Sequence, residues 1–127
     1  MTHDDLPKVK SLMQSLPGLW HDVWDDENLE SAFDSAGDLA LVYENDGRIA
    51  GFVLCHDVGF RAYLSTLAVA EDMQKQGIGS GLLHRAESIL KKRGRELIIS
   101  DVWIDAESFY KKQGWARPQS ILLRKWL

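Results

Sequence analysis

Leu64-Ser65-Thr66-Leu67-Ala68-Val69, then Gln74-Lys75-Gln76-Gly77-Ile78-Gly79, then Ser80 to Gly94 form one run whose reading decides the fold. The first six residues are apolar and β-prone, as a buried strand is. Ala70 to Gln76 carries acid, amide and basic side chains, which predicts a loop. From Gly77 onward, apolar residues at Ile78, Leu82, Leu83, Ala86, Ile89 and Leu90 keep a helical spacing, and Gly94 stops the helix. The expectation is strand, Gly-rich turn, helix. Backbone N–H groups in a helix's first turn have no intrahelical partner, and the helix dipole puts partial positive charge there. Glycines at 77 and 79 remove the side chains that would hold a ligand at a distance. The run therefore predicts a pocket for a phosphate or pyrophosphate, with Lys75 adding charge at its rim.

Upstream, Asp4-Asp5-Leu6-Pro7 reads as a helix start, with Leu6, Val9, Leu12, Met13 and Leu16 as its buried stripe and Pro17-Gly18 as its stop. A second helix is expected over Glu27 to Ser35, closed by Gly37. Leu39 to Glu44 reads as a strand, Asn45-Asp46-Gly47 as a hairpin turn, and Arg48 to His56 as the returning strand with a bulge at Gly51. Asp57-Val58-Gly59 turns the chain into a third antiparallel strand, Phe60 to Val69. Downstream, Glu96 to Val102 is expected to hold a short buried strand around Leu97-Ile98-Ile99. Asp105 to Gln113 reads as a helix ended by Gly114. Trp115 to Arg117 and Ile121 to Leu127 read as a final strand pair, with Pro118 in the connection.

The 127 residues predict one domain, 1–127, large enough for a real core. No apolar run approaches a membrane span, and the first ten residues show no signal-peptide pattern. Cys55 is the single cysteine, which excludes an intrachain disulfide and a cysteine-rich zinc site and fits a reducing cytoplasm. A net charge of −4 argues against a general nucleic-acid binder. His3 and His21 have no metal-ligand spacing, so no metal is expected. Acids crowd His21 to Glu30, while Lys91-Lys92-Arg93, Arg95 and Lys111-Lys112 are basic. Each run reads as a solvated face, or as an acidic region for a cationic substrate and a basic one for an anionic cofactor.

Three readings of the Gly-rich turn compete. A P-loop needs Gly-Lys-Ser/Thr, and Gly79 is followed by Ser80-Gly81. A dinucleotide turn needs its third glycine one position later than Gly81. Asp101 falls about where a ribose-binding acid would, which keeps that reading alive locally. The antiparallel meander upstream and the short chain downstream weigh against a doubly wound sheet. Third, Gln74-x-x-Gly77-x-Gly79 after an apolar strand resembles the acyl-CoA motif of the GNAT N-acetyltransferase superfamily, [Gln/Arg]-x-x-Gly-x-[Gly/Ala]. Ala106-Glu107-Ser108-Phe109-Tyr110-Lys111-Lys112-Gln113-Gly114-Trp115 is similar to its Ala-x-x-Phe-Tyr-x-x-x-Gly-Phe signature.

The resemblance implies an α/β (α+β) fold with a mixed, mostly antiparallel central sheet and helices on both faces. The family's opening strand is missing or vestigial, because only Met1-Thr2-His3 precedes the first helix. It implies an acetyltransferase using acetyl-CoA, whose strand and following strand splay apart. Backbone groups of Leu67 and Val69 would pair with the pantetheine arm, an N–H near Leu67 or Ala68 would face the oxyanion, and the turn from Gln74 and Lys75 through Gln76, Gly77, Ile78, Gly79 and Ser80 would hold the pyrophosphate. Tyr110 maps to the general acid that protonates the leaving thiolate. Many members carry Asn where this chain has Trp103. Dimers form through the last strands in many members, so a homodimer is also implied.

The acceptor must attack as a neutral amine. Asp101 and Asp57, near strand ends, are candidate proton acceptors, with His56 and Glu71 behind them. Trp20, Trp24 and Asp25 suit a cationic amine by cation–π contact and ion pairing, although two tryptophans four apart also pack a helix onto a sheet. The expected activity is acetyl transfer to a primary amine by direct attack in a ternary complex. The other reading is a non-catalytic acyl-CoA-binding regulatory module.

Overall fold

A computed structural model describes residues 1–127. A single 3-10 turn, His3–Asp5, leads into α1 (Leu6–Ser15), followed by α2 (Asp26–Ala36). Three strands follow, β1 (Ala40–Asn45), β2 (Arg48–Asp57) and β3 (Ala62–Val69), then α3 (Ile78–Lys92), β4 (Ile98–Ile99) and α4 (Glu107–Lys112). The sheet order is β1-β2-β3-β4, antiparallel except for the parallel β3–β4 pair. This is the mixed sheet expected from the meander. No strand precedes α1; the Met1 amino group donates to the Ala40 carbonyl at 3.2 Å, beside the outer edge of β1.

Burial on β2 is continuous from Ile49 to Cys55, because helices cover both of its faces. Ile49, Phe52 and Leu54 join Val9, Leu12 and Met13 of α1 and Leu29 of α2. On the other face Val53 and Cys55 join Leu82, Leu83, Ala86 and Leu90 of α3. Gly51 sits where α3 comes closest. A Cβ there would lie 3.1 Å from the Ala68 carbonyl oxygen, 3.1 Å from Ile78 Cγ2 and 3.3 Å from Leu82 Cδ1. The bulge predicted at Gly51 is one residue away, at Ala50, where Tyr43 pairs with Gly51 and Glu44 with Ile49.

The other end of α3 is tied to β2. Gly94, at φ +80°, lets the chain turn so that Arg95 N–H reaches the Leu90 carbonyl. Arg93 and Arg95 then bind the Asp57 carboxylate at 3.2 and 2.8 Å, and Arg93 also binds Asp38. Much of the basic run is thus spent on structural acids, at the end of the helix away from the Gly-rich turn.

One expectation holds and one fails at the sheet's last edge. β4 is the short strand expected within Glu96 to Val102, with Leu97 and Ile99 exposed rather than buried, and residues 115–127 form no strand pair. The cause is visible in the pairing. β3 and β4 share only Ala62↔Ile98 and Tyr63↔Ile99 before diverging, so almost no edge is left to template further strands. Ile121, Leu123 and Trp126 are at least 81% exposed. No helix is long and apolar enough to cross a membrane.

Gly51→Ala forces the sheet and α3 apart, since a backbone carbonyl cannot yield. The expected cost is about 1–3 kcal/mol, read as a lower urea midpoint with an unchanged slope.

Candidate active site

The divergence of β3 from β4 opens a gap, and strand alternation says what faces it. Ala62 N–H donates to the Leu97 carbonyl on the β4 side, and Ala70 N–H donates to the Ala50 carbonyl on the β2 side. Between them β3 is bulged, with Leu64 opposite Cys55 and Thr66 opposite Leu54, so Ser65 is the extra residue. Counting back from Ala70, Ala68 and Thr66 address β2, while Leu67 and Val69 direct their N–H and C=O into the gap. Of the expected oxyanion donors, Leu67 N–H fits and Ala68 N–H is turned toward β2. Two side chains take carbonyls along this edge. Ser100 Oγ donates to Leu64 O at 2.8 Å, and Gln74 Nε2 donates to Val69 O at 3.0 Å.

Two chambers meet in the gap. The narrower, about 360 Å³, runs along Leu64 to Val69 and is closed by Gln74, Val102, Ala106 and Tyr110. The wider, about 840 Å³, lies toward α1 and α2 and is walled by Trp20, His21, Trp24, Tyr63 and Trp126. Leu19, Ser65, Thr66, Asp101 and Trp103 line both. Trp103 forms part of the partition. Its ring edge lies over Gly18, where a Cβ would come within 2.7 Å of Cη2.

At the narrower chamber's outer end lies the Gly-rich turn. Lys75 and Gly77 both have positive φ, +64° and +82°. The first intrahelical bond of α3 runs from Gly81 N–H to Gly77 O, so the amides of Ile78, Gly79 and Ser80 precede it with no helical acceptor. Gly79 packs against α4: a Cβ there would meet Val69 Cγ2 at 3.5 Å and Phe109 Cζ at 3.6 Å, ordinary contacts. Ser80's hydroxyl is used elsewhere, donating to Gln113 Oε1 at 2.9 Å, so only its backbone amide is free to serve the turn.

Tyr110 projects from α4 with its ring against Phe109 and Trp115, at centroid distances of 5.1 and 5.2 Å. Burial pushes its phenol up to about 12, so it is protonated at neutral pH. Asp101 is engaged at both oxygens. Tyr63 donates to Oδ1 at 2.6 Å and Arg124 to Oδ2 at 2.8 Å. Burial opposes its charge, but these two hydrogen bonds outweigh it and hold the carboxyl below its ordinary value. Asp101 is thus a carboxylate of low basicity, better suited to holding a cation than to taking a proton.

Other expected site residues have structural work. Asp25 is the N-cap of α2, accepting from Asn28 N–H at 3.0 Å while Asn28 Oδ1 accepts from Asp25 N–H at 2.9 Å. It does not line the wider chamber, although Trp24 and Asn28 do. Asp57, held by Arg95, by Gly59 N–H and by Arg93, has its carboxyl drawn down to about 2. It and Glu71, in an exposed 3-10 turn, lie outside both chambers. Trp20 has Lys10 Nζ 5.4 Å above its ring and packs on the α1–α2 core, leaving Trp24 as the more exposed of the expected pair. No group of three His, Cys, Asp or Glu side chains is placed to hold a metal ion. Tyr63, Ser65, Arg124 and Trp126 escape sequence reasoning because their roles arise from contacts across distant segments.

Residues 8–115 match the acetyltransferase (GNAT) family. The chain belongs to that family. It is 34% identical over 84 residues to a mycothiol acetyltransferase of Clavibacter sepedonicus, covering 66% of this chain and 27% of that protein. It spans no more than 59% of the length of the curated relatives it matches. Among solved structures, a transcriptional regulator from Bacillus halodurans C-125 superposes with a TM-score of 0.80 at 20% identity, covering 99% of this chain and 96% of that one. The aminoglycoside N-acetyltransferase AAC(6')-Iy in complex with CoA superposes with a TM-score of 0.74 at 15% identity, covering 100% and 97%. Those likenesses are of fold.

Two pairs of variants test these assignments. Asp25→Ala removes the cap and lowers stability by about 1 kcal/mol, whereas Asp25→Asn keeps it; thermal melting of both variants distinguishes a cap from a charge. Gly77→Ala forces a side chain into a left-handed backbone at a cost of about 1–3 kcal/mol, while Gly79→Ala melts close to the parent.

Proposed function

We propose that this GNAT domain transfers an acetyl group from acetyl-CoA to a primary amine by direct attack in a ternary complex. The observation that carries the reading is the pair of chambers sharing one strand edge, with Leu67 and Tyr110 lining the narrower and tryptophans the wider. A thioester lying along β3 would extend its pantetheine arm against Leu67 and Val69 as an added strand. Its pyrophosphate would sit on the amides of Ile78, Gly79 and Ser80, with Gln74, Lys75, Gln76 and Gly77 shaping that turn. No side-chain charge is required there except Lys75 at the rim.

The acceptor's place in this reading is the wider chamber. Asp101 is the carboxylate on its wall, and the Trp24 and Trp126 rings stand across the space. A cationic amine would exchange with Arg124 for Asp101 and lie among the aromatic faces. Attack of the neutral amine on the thioester carbon builds an oxyanion toward Leu67 N–H. As the C–S bond breaks, Tyr110 passes its proton to the thiolate and regains one from water. A buried phenol at about 12 is fully protonated when the thiolate forms, and the same dry wall raises the basicity of the thiolate it must serve.

One observation favours the second reading, a CoA-binding module without transfer. Arg124 already occupies the carboxylate that a cationic acceptor would use. The test is thiol release from acetyl-CoA across a panel of polyamines, aminoglycosides and peptide amines. Tyr110→Phe is expected to slow release by about 10²–10⁴-fold while acetyl-CoA still raises the melting temperature. Tyr110 should impose no alkaline fall in rate below pH about 10, because its proton is held to about 12. A melting shift with acetyl-CoA and no thiol with any amine would select the binding module.

A further inference from the structure

An amine that reaches the chamber as an ammonium must shed a proton before it attacks and another as the amide forms. Asp101 is poorly placed to take either, since both its oxygens are engaged and its basicity is depressed. The strand edge offers another route. The bulge that makes Ser65 the extra residue of β3 turns it out of the ladder, so that it lines both chambers, two residues before Leu67. Its hydroxyl lies 2.6 Å from His56 Nε2 and 3.2 Å from the Leu54 carbonyl. On the far side of the ring, His56 Nδ1 lies 2.9 Å from Ser35 Oγ, and Ser35 is exposed on α2. A continuous hydrogen-bonded path thus runs from the cleft, through one imidazole, to bulk water.

Resting on the acetyl-transfer reading, we propose that Ser65 and His56 relay the acceptor's proton out of the cleft through Ser35. The shorter of the two contacts favours the arrangement in which the Ser65 hydroxyl donates to Nε2 and Nδ1–H donates to Ser35. As the amine nitrogen bonds to the thioester carbon, its N–H proton passes to Ser65 Oγ while the Ser65 proton passes to Nε2. His56, now cationic, gives its Nδ1 proton to Ser35 Oγ as the Ser35 proton leaves to water. The carbon–sulfur bond breaks toward the thiolate, which Tyr110 protonates before regaining a proton from water. The proton that the ammonium sheds before attack leaves directly to water, and the His56 ring regains its first tautomer by proton exchange through Ser35 and Ser65, so charge and protons balance.

The surroundings of His56 support an uncharged relay. Tyr63 stacks on it from β3 at a centroid distance of 6.4 Å, Ser65 and Ser35 hold its two nitrogens, and neighbouring Asp57 is bound by Arg93 and Arg95. Burial alone lowers its basicity, so the ring is neutral at pH 7 and able to accept. The rate should then fall as pH drops through a value below 6.5, where the ring becomes charged and cannot take the relayed proton.

The experiment is the pH dependence of turnover with saturating acetyl-CoA and two acceptors of different amine pKa. His56→Gln, which keeps a side chain able to hydrogen-bond Ser65, should cost about 10²-fold in turnover and abolish the acid limb common to both acceptors. Its melting shift with acetyl-CoA should be unchanged. His56→Ala should be rescued by added imidazoles, faster with the more basic ones, a response that a packing role does not give. Normal wild-type turnover with an unaltered profile in His56→Gln overturns the relay alone, as does loss of the acid limb in His21→Gln instead. No thiol from the wild type with any amine overturns the acetyl-transfer reading and the relay with it.

Discussion

Everything in the cleft depends on peptide groups that have no strand opposite them. Two rungs join β3 to β4, and past Tyr63 the strands part. Backbone donors and acceptors are obligatory hydrogen-bonding groups, so an edge opened inside a domain must be filled by something. Here two side chains meet part of the demand, Ser100 at the Leu64 carbonyl and Gln74 at the Val69 carbonyl. The position between them, Leu67, is left to a ligand or to water. An extended chain with amides along its length, such as the pantetheine arm of the proposed acetyl-CoA, would complement that edge. Selectivity at this point comes from geometry, which is why the motif around it is poor in charged side chains.

A second constraint aims the helix. α3 can bring its free amides beside the end of β3 only because Gly51 carries no side chain under Ile78 and Leu82. At the helix's other end Arg93 and Arg95 clamp the Asp57 carboxylate. Asp57 is mostly covered, and the two pairs hold the end of α3 against the end of β2. Phe109 completes the wedge, filling the space that Gly79 leaves beside Val69.

The parts read well from sequence were local and periodic. The helical stripe from Ile78 to Leu90, the Asn45-Asp46-Gly47 turn and the antiparallel meander each need only a short window, and the order of the first three strands follows from them. Misreadings arose where a residue's work depends on a distant partner. Asp25 looks like a substrate acid until Asn28 is seen to complete a capping box. Asp57 looks like a base until the end of α3 arrives beside it. Ile121 to Leu127 is apolar enough for a strand, but strand formation requires an edge to pair with, and a two-residue β4 offers almost none. His56 stands among the candidate proton acceptors in sequence, but nothing there links it to Ser65, nine residues on; the bulge in β3 brings the two to 2.6 Å.

Charge placement completes the picture. Several acids and bases near the sheet neutralise one another away from the chambers, as Arg48 with Asp72, Arg93 with Asp38 and Asp57, and Lys10 with Asp26. Inside, Asp101 is balanced by Arg124, and the groups proposed to move protons, Tyr110, Ser65 and His56, are neutral at pH 7. Moving a proton along neutral donors never leaves an uncompensated charge buried for longer than the transfer itself, whereas a free carboxylate base would need to be desolvated first. On the proposed reading Asp101 would recognise the acceptor's charge, and the serine–histidine path would carry off the proton released as the amide forms.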